Sequence, residues 1–462
     1  MTAAPPSDTL DAIFKAYDVR GIYPDQIDET IARLVGNAFV AFTGAPTVLV
    51  GRDARPSSEP LVEAFVEGAR LAGADVIDLG LASTDLVYFA AGSLDAPAAM
   101  FTASHNPAQY NGIKLCRSGA APIGEDTGLR QLKAMVAEGL LERAEEPGRH
   151  ERRDLLGPFV NHVRSFVDVA ALAPLRVVTD TANGVGGLIV PAVFSGLPME
   201  LSMLFAELDG TFPNHPADPI NVENLRDLQR EVRAVSADIG LAFDGDADRV
   251  FLVDDQGEPV SGSTTTAILA QAMLERSPGG LVVHNLICSR AVPEVIRESG
   301  GTPVRTRVGH SFIKAVMAEV DAVFGGEHSA HYYFRDNWRA DSGIIAAMIV
   351  LEQLSRAGVP LSEFRRPFER YSASGEINTR VADPLAVVEV VASAFPDARQ
   401  DRLDGLTVEF EDWWCNIRPS NTEPLLRLNV EAKTPALLAE KTAEMLALIR
   451  GPATQPETAP GG

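Results

Sequence analysis

Three aspartates, Asp244, Asp246 and Asp248, alternate with small residues in FDGDADRVFLVDD, and that spacing lets three carboxylates converge on one point. Their mutual repulsion is costly without a cation, and an all-oxygen ligand set selects magnesium, manganese or calcium over zinc. An EF-hand is a poor fit, because Arg249 stands at the sixth position, where the tight turn needs glycine, and VFLVDD reads as a strand. A solvated acidic turn is the ordinary fate of such loops, but apolar flanks and the closing arginine favour a metal site here. RPSNTEPLLR, residues 418–427, offers the complementary chemistry. Arg418 and Arg427 bring forked donors, while Ser420, Asn421 and Thr422 bring short side chains and loop N–H groups, a fit to phosphate. In GEHSAHYYF, residues 326–334, Glu327, Ser329 and His331 can hydrogen-bond a polyhydroxylated ligand such as a sugar. TASHNP, residues 102–107, sets Ser104 beside His105 and Asn106. No GxSxG elbow surrounds this serine, so it needs a base or a metal to act. If it carried a phosphoryl group, that group would have oxygens for the metal and a dianion for Arg20, Lys114 or Arg249 to neutralise.

The elements around these loops have a common plan. VLVGRDARP, DVIDLG and PAAMFTAS read as buried strands, and SSEPLVEAFVEGARLAG and GLRQLKAMVAEGLL as helices between or after them, which implies a mainly parallel α/β sheet. A charged stretch, ERAEEPGRHERRD, reads as a linker to a second such unit, and TTTAILAQAMLE opens a third. From about residue 370 the pattern changes to strands with two helical stretches. The expected organisation is α/β: three successive similar domains with mixed, mainly parallel sheets, then a smaller α+β domain. Their expected spans are 1–153, 154–258, 259–369 and 370–451, followed by a disordered tail, 452–462. TASHNP, DGDADR and GEHSAHYYF each follow an apolar run, as functional loops do in open α/β sheets, and this layout suits one central cleft lined by one loop per domain.

Composition bounds the rest. The chain has 462 residues, 46% of them hydrophobic and 22% charged, so it reads as a soluble globular protein with ample core. A formal charge of -23 argues against a nucleic-acid partner, and makes each basic residue inside a motif informative. No run approaches the ~18 apolar residues of a membrane helix, and no secretory signal is evident, so the expectation is no membrane and a cytoplasmic location. The 3 cysteines, Cys116, Cys288 and Cys415, lie too far apart for a disulfide framework or a zinc site.

Together these motifs resemble the α-D-phosphohexomutase superfamily, and within it the bacterial phosphomannomutase/phosphoglucomutase group. TASHNPAQYNGIK is similar to the family's phosphoserine loop, DGDADR to its metal loop, GEHSAH to its sugar loop and RPSNTEP to its phosphate loop. FKAYDVRG, GRDAR, DTANGVGG and VGHSFIK match in the expected order, over roughly residues 11 to 450. The resemblance implies a phosphorylated Ser104 and a Mg²⁺ ion on Asp244, Asp246, Asp248 and a phosphoserine oxygen. It places Tyr17, Arg20, His105, Asn106, Lys114 and Arg249 around that phosphate. It puts Glu327 and Ser329 on the sugar, with His331 and His310 in the cleft. Arg418, Ser420, Asn421 and Thr422 would hold the far phosphate of a hexose phosphate, with Arg427 nearby. The implied reaction is ping-pong transfer through a hexose 1,6-bisphosphate, which also serves as activator, with Lys114 or a cleft histidine as base and a hinge near Tyr371. Two positions depart from the pattern: Ile287 replaces a family lysine, with Arg290 and Arg305 as possible substitutes, and His328 and Ala330 replace the Met and Gly of GEMSGH. Phosphoglucosamine mutase is the nearest alternative. An aspartate-nucleophile phosphotransferase acting through Asp244, and a binding protein without turnover, are the more distant ones.

Overall fold

The computed structural model describes residues 5–139, 143–419 and 425–451. Four sheets follow one another along the chain. The first has six strands in the spatial order Val19–Ile22, Tyr110–Cys116, Ala98–Phe101, Thr47–Arg52, Asp75–Leu81, His150–Arg152. Its last four strands run parallel, and the other two join antiparallel at one edge. The second sheet is built on parallel Arg176–Asp180, Glu200–Leu204 and Ile239–Phe243, and the third on parallel Leu281–Asn285, Thr302–Thr306 and Phe324–Gly326. The fourth is five-stranded and antiparallel throughout, with helices Pro384–Ala394 and Pro435–Arg450. This is the expected α/β architecture with its α+β C-terminal unit.

The residue patterns explain the elements. Ala98–Phe101 and Ile239–Phe243 are buried at every position, which is why their sequences are unbroken apolar runs. Helix Gly262–Arg276 starts where the Ser261 side chain accepts from Thr264 N, and Gly343–Ala357 where Ser342 accepts from Ile345 N. The charged stretch read as a linker contributes an edge strand, His150–Arg152, which is exposed at all three positions, ladders onto Asp75–Leu81 and sets Arg152 Nε 3.4 Å from Asp78 Oδ2. The hairpin strand Pro259–Val260 belongs to the second sheet. Val250–Asp254 is a strand, so the aspartate loop is not an EF-hand. The tail after residue 451 lies outside the described residues. Among the described residues no single helix is long and apolar enough to cross a membrane.

Candidate active site

The serine loop leaves the end of Ala98–Phe101, where Thr102 Oγ1 accepts the Ser104 N–H at 2.9 Å. Ser104 has φ 48°, a left-handed conformation that costs a non-glycine residue ~1–3 kcal/mol and persists only where its surroundings impose it. Arg55 imposes it. Its buried guanidinium donates to the carbonyls of Ser104 (2.8 Å), Asn106 (2.7 Å), Pro107 (2.7 Å) and Tyr110 (3.0 Å), and Nε donates to Asp53 (3.0 Å). The Phe212 ring, from the second domain, lies 4.9 Å from the same guanidinium. GRDAR stands out in the sequence only as a motif and assigns Arg55 no role, because an arginine two residues after an aspartate equally suits a surface ion pair.

The aspartate loop leaves Ile239–Phe243 and meets the serine from the other side. Asp244, Asp246 and Asp248 are almost wholly buried, with ligand atoms within 4.8 Å of one another. Ser104 Oγ donates to Asp244 Oδ2 at 2.8 Å. Lys114 Nζ reaches Asp246 Oδ2 and Asp248 Oδ2, each at 2.7 Å, and Arg249 Nε reaches Asp244 Oδ2 at 2.9 Å. Thr84 Oγ1 donates to Asp246 Oδ2 at 2.6 Å, so the first domain grips the metal loop as well. Oδ1 of Asp246 and Oδ1 of Asp248 are buried with no hydrogen-bond partner. Two orphaned anionic oxygens among hard oxygen donors fit a divalent cation. Burial pushes Asp244 up to about 7, with Arg249 opposing and Asp248 and Asp246 adding to the rise. Burial works the same way on Asp246, but Lys114 and Thr84 override it and hold that carboxyl well below its usual range.

The remaining residues close around this centre. Arg20 Nη1 donates to Asn106 Oδ1 at 2.6 Å and Nε to Asp18 at 3.1 Å. His105 Nδ1 accepts from Arg249 Nη2 at 2.7 Å, and burial, then Arg249 and Arg20, keep its ring neutral. His331 Nδ1 sits 2.8 Å from Asp341 Oδ2 and 4.0 Å from Asp248 Oδ1. Burial opposes a charged ring there, but Asp341 and Asp248 outweigh it and the His331 pKa rises. Behind it, Lys314 Nζ lies 2.8 Å from Asp341 Oδ1 and 4.1 Å from the centre of the Tyr88 ring. Tyr17 packs on His310 with ring centres 4.8 Å apart, joining first and third domains. Glu327 accepts from Tyr333 Oη (2.6 Å), Asn285 Nδ2 (3.1 Å) and Gly309 N (3.3 Å), so it is anchored in the floor of the third domain. Ser329 lies half-buried in the following turn. Arg418 and Arg427 stand opposite each other on adjacent strands of the fourth sheet. Ser420, Asn421 and Thr422 lie outside the described residues.

At the departures, Ile287 and His328 line a cavity of about 240 Å³ with Ser263, Tyr371 and Trp414. His328 Nδ1 is 3.0 Å from Ser263 Oγ. Arg290 and Arg305 do not stand in for the absent lysine. Arg290 is spent on Glu409 and the carbonyls of Glu411 and Phe410, and Arg305 on Asp401, all in the fourth domain.

A serine hydroxyl held on a carboxylate cluster built for a cation, ringed by Arg20, Lys114 and Arg249, defines a phosphoryl-transfer enzyme. The chain matches the phosphoglucomutase/phosphomannomutase family in all its parts: α/β/α domain I over residues 11–141, domain II over 157–257, domain III over 261–371 and the C-terminal domain over 376–448. A curated Xanthomonas campestris protein named phosphohexose mutases is 41% identical over 443 residues, covering 95% of this chain and 99% of that one. The phosphomannomutase of Escherichia coli is 39% identical over 448 residues, covering 94% and 98%. A solved structure of a phosphoglucomutase/phosphomannomutase family protein from Burkholderia thailandensis superposes with a TM-score of 0.87 at 33% identity, covering 95% and 97%. The chain belongs to the phosphoglucomutase/phosphomannomutase family, and its chemistry is that of an isomerase of the phosphohexomutase kind.

Proposed function

We propose that the protein interconverts mannose 6-phosphate and mannose 1-phosphate, and also the glucose phosphates, through a phosphorylated Ser104 and a hexose 1,6-bisphosphate. The observation that carries this reading is the 2.8 Å bond from Ser104 Oγ to Asp244, beside the orphaned oxygens of Asp246 and Asp248. The names of the curated relatives support the substrate class. Asp244, Asp246 and Asp248 would hold Mg²⁺, which when bound neutralises charge on the transferring phosphoryl group.

In the forward half-reaction a sugar hydroxyl oxygen bonds to phosphorus, its proton passes to a base, and the bond from phosphorus to Ser104 Oγ breaks, leaving that oxygen as an alkoxide beside Arg249 that attacks the other phosphate in the return half. Lys114 is a poor base, since Asp246 and Asp248 overcome burial and hold its proton firmly. His105 spends Nδ1 on Arg249. His331 is the better choice, because Asp341 fixes the ring through Nδ1 and leaves Nε2 to take the proton and return it in the second half. Arg20 and Arg249 steady the phosphoryl oxygens, and Arg418 and Arg427, with Ser420, Asn421 and Thr422, anchor the far phosphate so that its binding energy aligns the reacting end. Tyr17 and His310 line the cleft, and Glu327 and Ser329 present acceptors to the sugar. The 1,6-bisphosphate serves as activator by phosphorylating Ser104 at the start.

The test compares kcat/KM for mannose 1-phosphate, glucose 1-phosphate and glucosamine 1-phosphate with Mg²⁺ and trace bisphosphate. Comparable turnover of the first two, abolished in Ser104→Ala, is the expected result. Preference for glucosamine would assign a phosphoglucosamine mutase, and full activity in Ser104→Ala would end the phosphoenzyme reading.

A further inference from the structure

The two arginines of the fourth domain share one carboxylate. Arg418 and Arg427 are paired across the antiparallel strands Trp413–Pro419 and Leu425–Ala432. Glu376, on the neighbouring strand Ser372–Arg380, reaches both: Oε2 lies 2.6 Å from Arg418 Nη2 and Oε1 lies 3.4 Å from Arg427 Nη1. Among the described residues no other carboxylate is within ion-pair distance of either arginine. The Arg418 side chain is only 7% exposed, and Arg427 Nε is buried without a partner. Two forks therefore face one negative charge, and part of the donor set is unspent. Glu376 sits just past a break in the ladder between Ala373 and Glu376, where Gly375 has φ 67°. The break follows the segment that enters the domain at Tyr371, whose hydroxyl donates to Glu294 of the third domain at 2.5 Å.

We propose that Glu376 is a displaceable stand-in for the substrate's far phosphate. It holds the Arg418 and Arg427 forks when no phosphate is seated, yields them when one arrives, and takes them back each time the bisphosphate turns over. This deepens the reading that these arginines hold the far phosphate, and it rests on that reading. A phosphate dianion brings two charges and several acceptor oxygens to forks that a single carboxylate only partly satisfies, so it wins the exchange. Its departure would otherwise leave a desolvated guanidinium without a counter-charge, which is the costly outcome for a buried ion pair that loses one member. Glu376 removes that cost. It weakens the resting grip on phosphate and speeds release, and a reaction whose intermediate must let go and turn within one cycle needs both.

The test uses inorganic phosphate as probe, measured by calorimetry and by competitive inhibition against glucose 1-phosphate, in wild type, Glu376→Gln, Glu376→Asp and Arg418→Ala. Glu376→Gln keeps the shape and loses the charge, and Glu376→Asp keeps the charge but shortens its reach. Both are expected to bind phosphate about tenfold more tightly, with KM and kcat falling together as release slows. Unchanged or weaker phosphate binding in both, with a raised KM, overturns the proposal and makes Glu376 a fixed orienter of the arginines. Arg418→Ala separates the two levels. If it leaves phosphate binding intact, the phosphate-site reading fails and takes the proposal with it. If it abolishes binding while Glu376→Gln and Glu376→Asp change nothing, only the stand-in fails.

Discussion

Arg55 spends one guanidinium on four carbonyls of the serine loop and on Asp53, and so fixes a strained residue that carries the chemistry. A lysine offers a single point of charge and cannot satisfy a ring of acceptors spread over that span. Arg55→Lys is expected to lower kcat about 100-fold, with KM within about twofold, because a small misplacement of the nucleophile is enough to lose that much. Steady-state kinetics, with circular dichroism to show an intact fold, check it. Asp244 gives a second expectation. Burial and its carboxylate neighbours lift its pKa to about 7, so a proton competes with the cation for the site. Mg²⁺ affinity is therefore expected to be full above about pH 8 and to fall as the pH drops through 7, with close to one proton released per ion bound at about pH 6 and almost none at about pH 8. Calorimetry in buffers of different ionisation enthalpy measures that proton, and a flat profile from pH 6 to 8 would refute it. At this scale the sequence was most legible where a function is local. Three aspartates within five positions announce themselves, and TASHNP does so beside them. Arg55 and Glu376 were silent because their partners lie 42 to 55 positions away in no fixed pattern, at Asn106 and Tyr110 for the one and Arg418 for the other.

At the active site itself the first two domains also meet loop against loop. A Cβ on Gly245 would stand 2.6 Å from Ser104 O, so the metal loop approaches the serine loop as closely as backbone allows. The turn of DTANGVGG supports it from below, with Val185 N bonded to Gly245 O at 3.1 Å. Gly245→Ala must push the loops apart, since the atom the new Cβ would meet, Ser104 O, belongs to the backbone. It is expected to cut kcat/KM at least tenfold and weaken Mg²⁺ binding, while leaving the first sheet intact, as melting curves and calorimetry would show. Strand and helix types were legible because buried parallel strands are written as apolar runs and helices as periodic ones. The edge strand His150–Arg152 was not legible, because it has no apolar residue to mark a buried face and its side-chain tie, Arg152 to Asp78, spans 74 positions.

Across the whole molecule, one core among the described residues runs beneath all of the first three domains, each of which also keeps a cluster of its own, whereas the fourth has only its own. Phe89, Phe159, Phe243, Phe324 and Phe334 belong to the shared core, whereas Val408, Trp413, Ile417, Leu428 and Met445 pack only with their own domain. That division was beyond the sequence, which marks each α/β unit alike and says nothing of which faces are shared. The fourth domain is therefore tied to the rest mainly through polar contacts. Arg290 donates to Glu409 and to the carbonyls of Glu411 and Phe410, and its own N–H reaches Glu431 at 3.0 Å. Arg370 pairs with Glu294 and Glu298, and Tyr371 with Glu294. Polar interfaces of this kind permit a domain to open and close about its linker, as a cycle that turns its intermediate requires. Arg290→Ala removes the side-chain part of that tie without touching Ser104, the aspartates or Arg418. The unliganded protein should then spend more time open, with a larger radius of gyration in small-angle scattering and a KM raised about tenfold, since closure must be drawn from substrate binding. Saturating substrate should restore both the compact form and most of kcat. If scattering and KM stay at wild-type values, the fourth domain is held by its remaining contacts, and release of the intermediate must be sought in the arginines themselves.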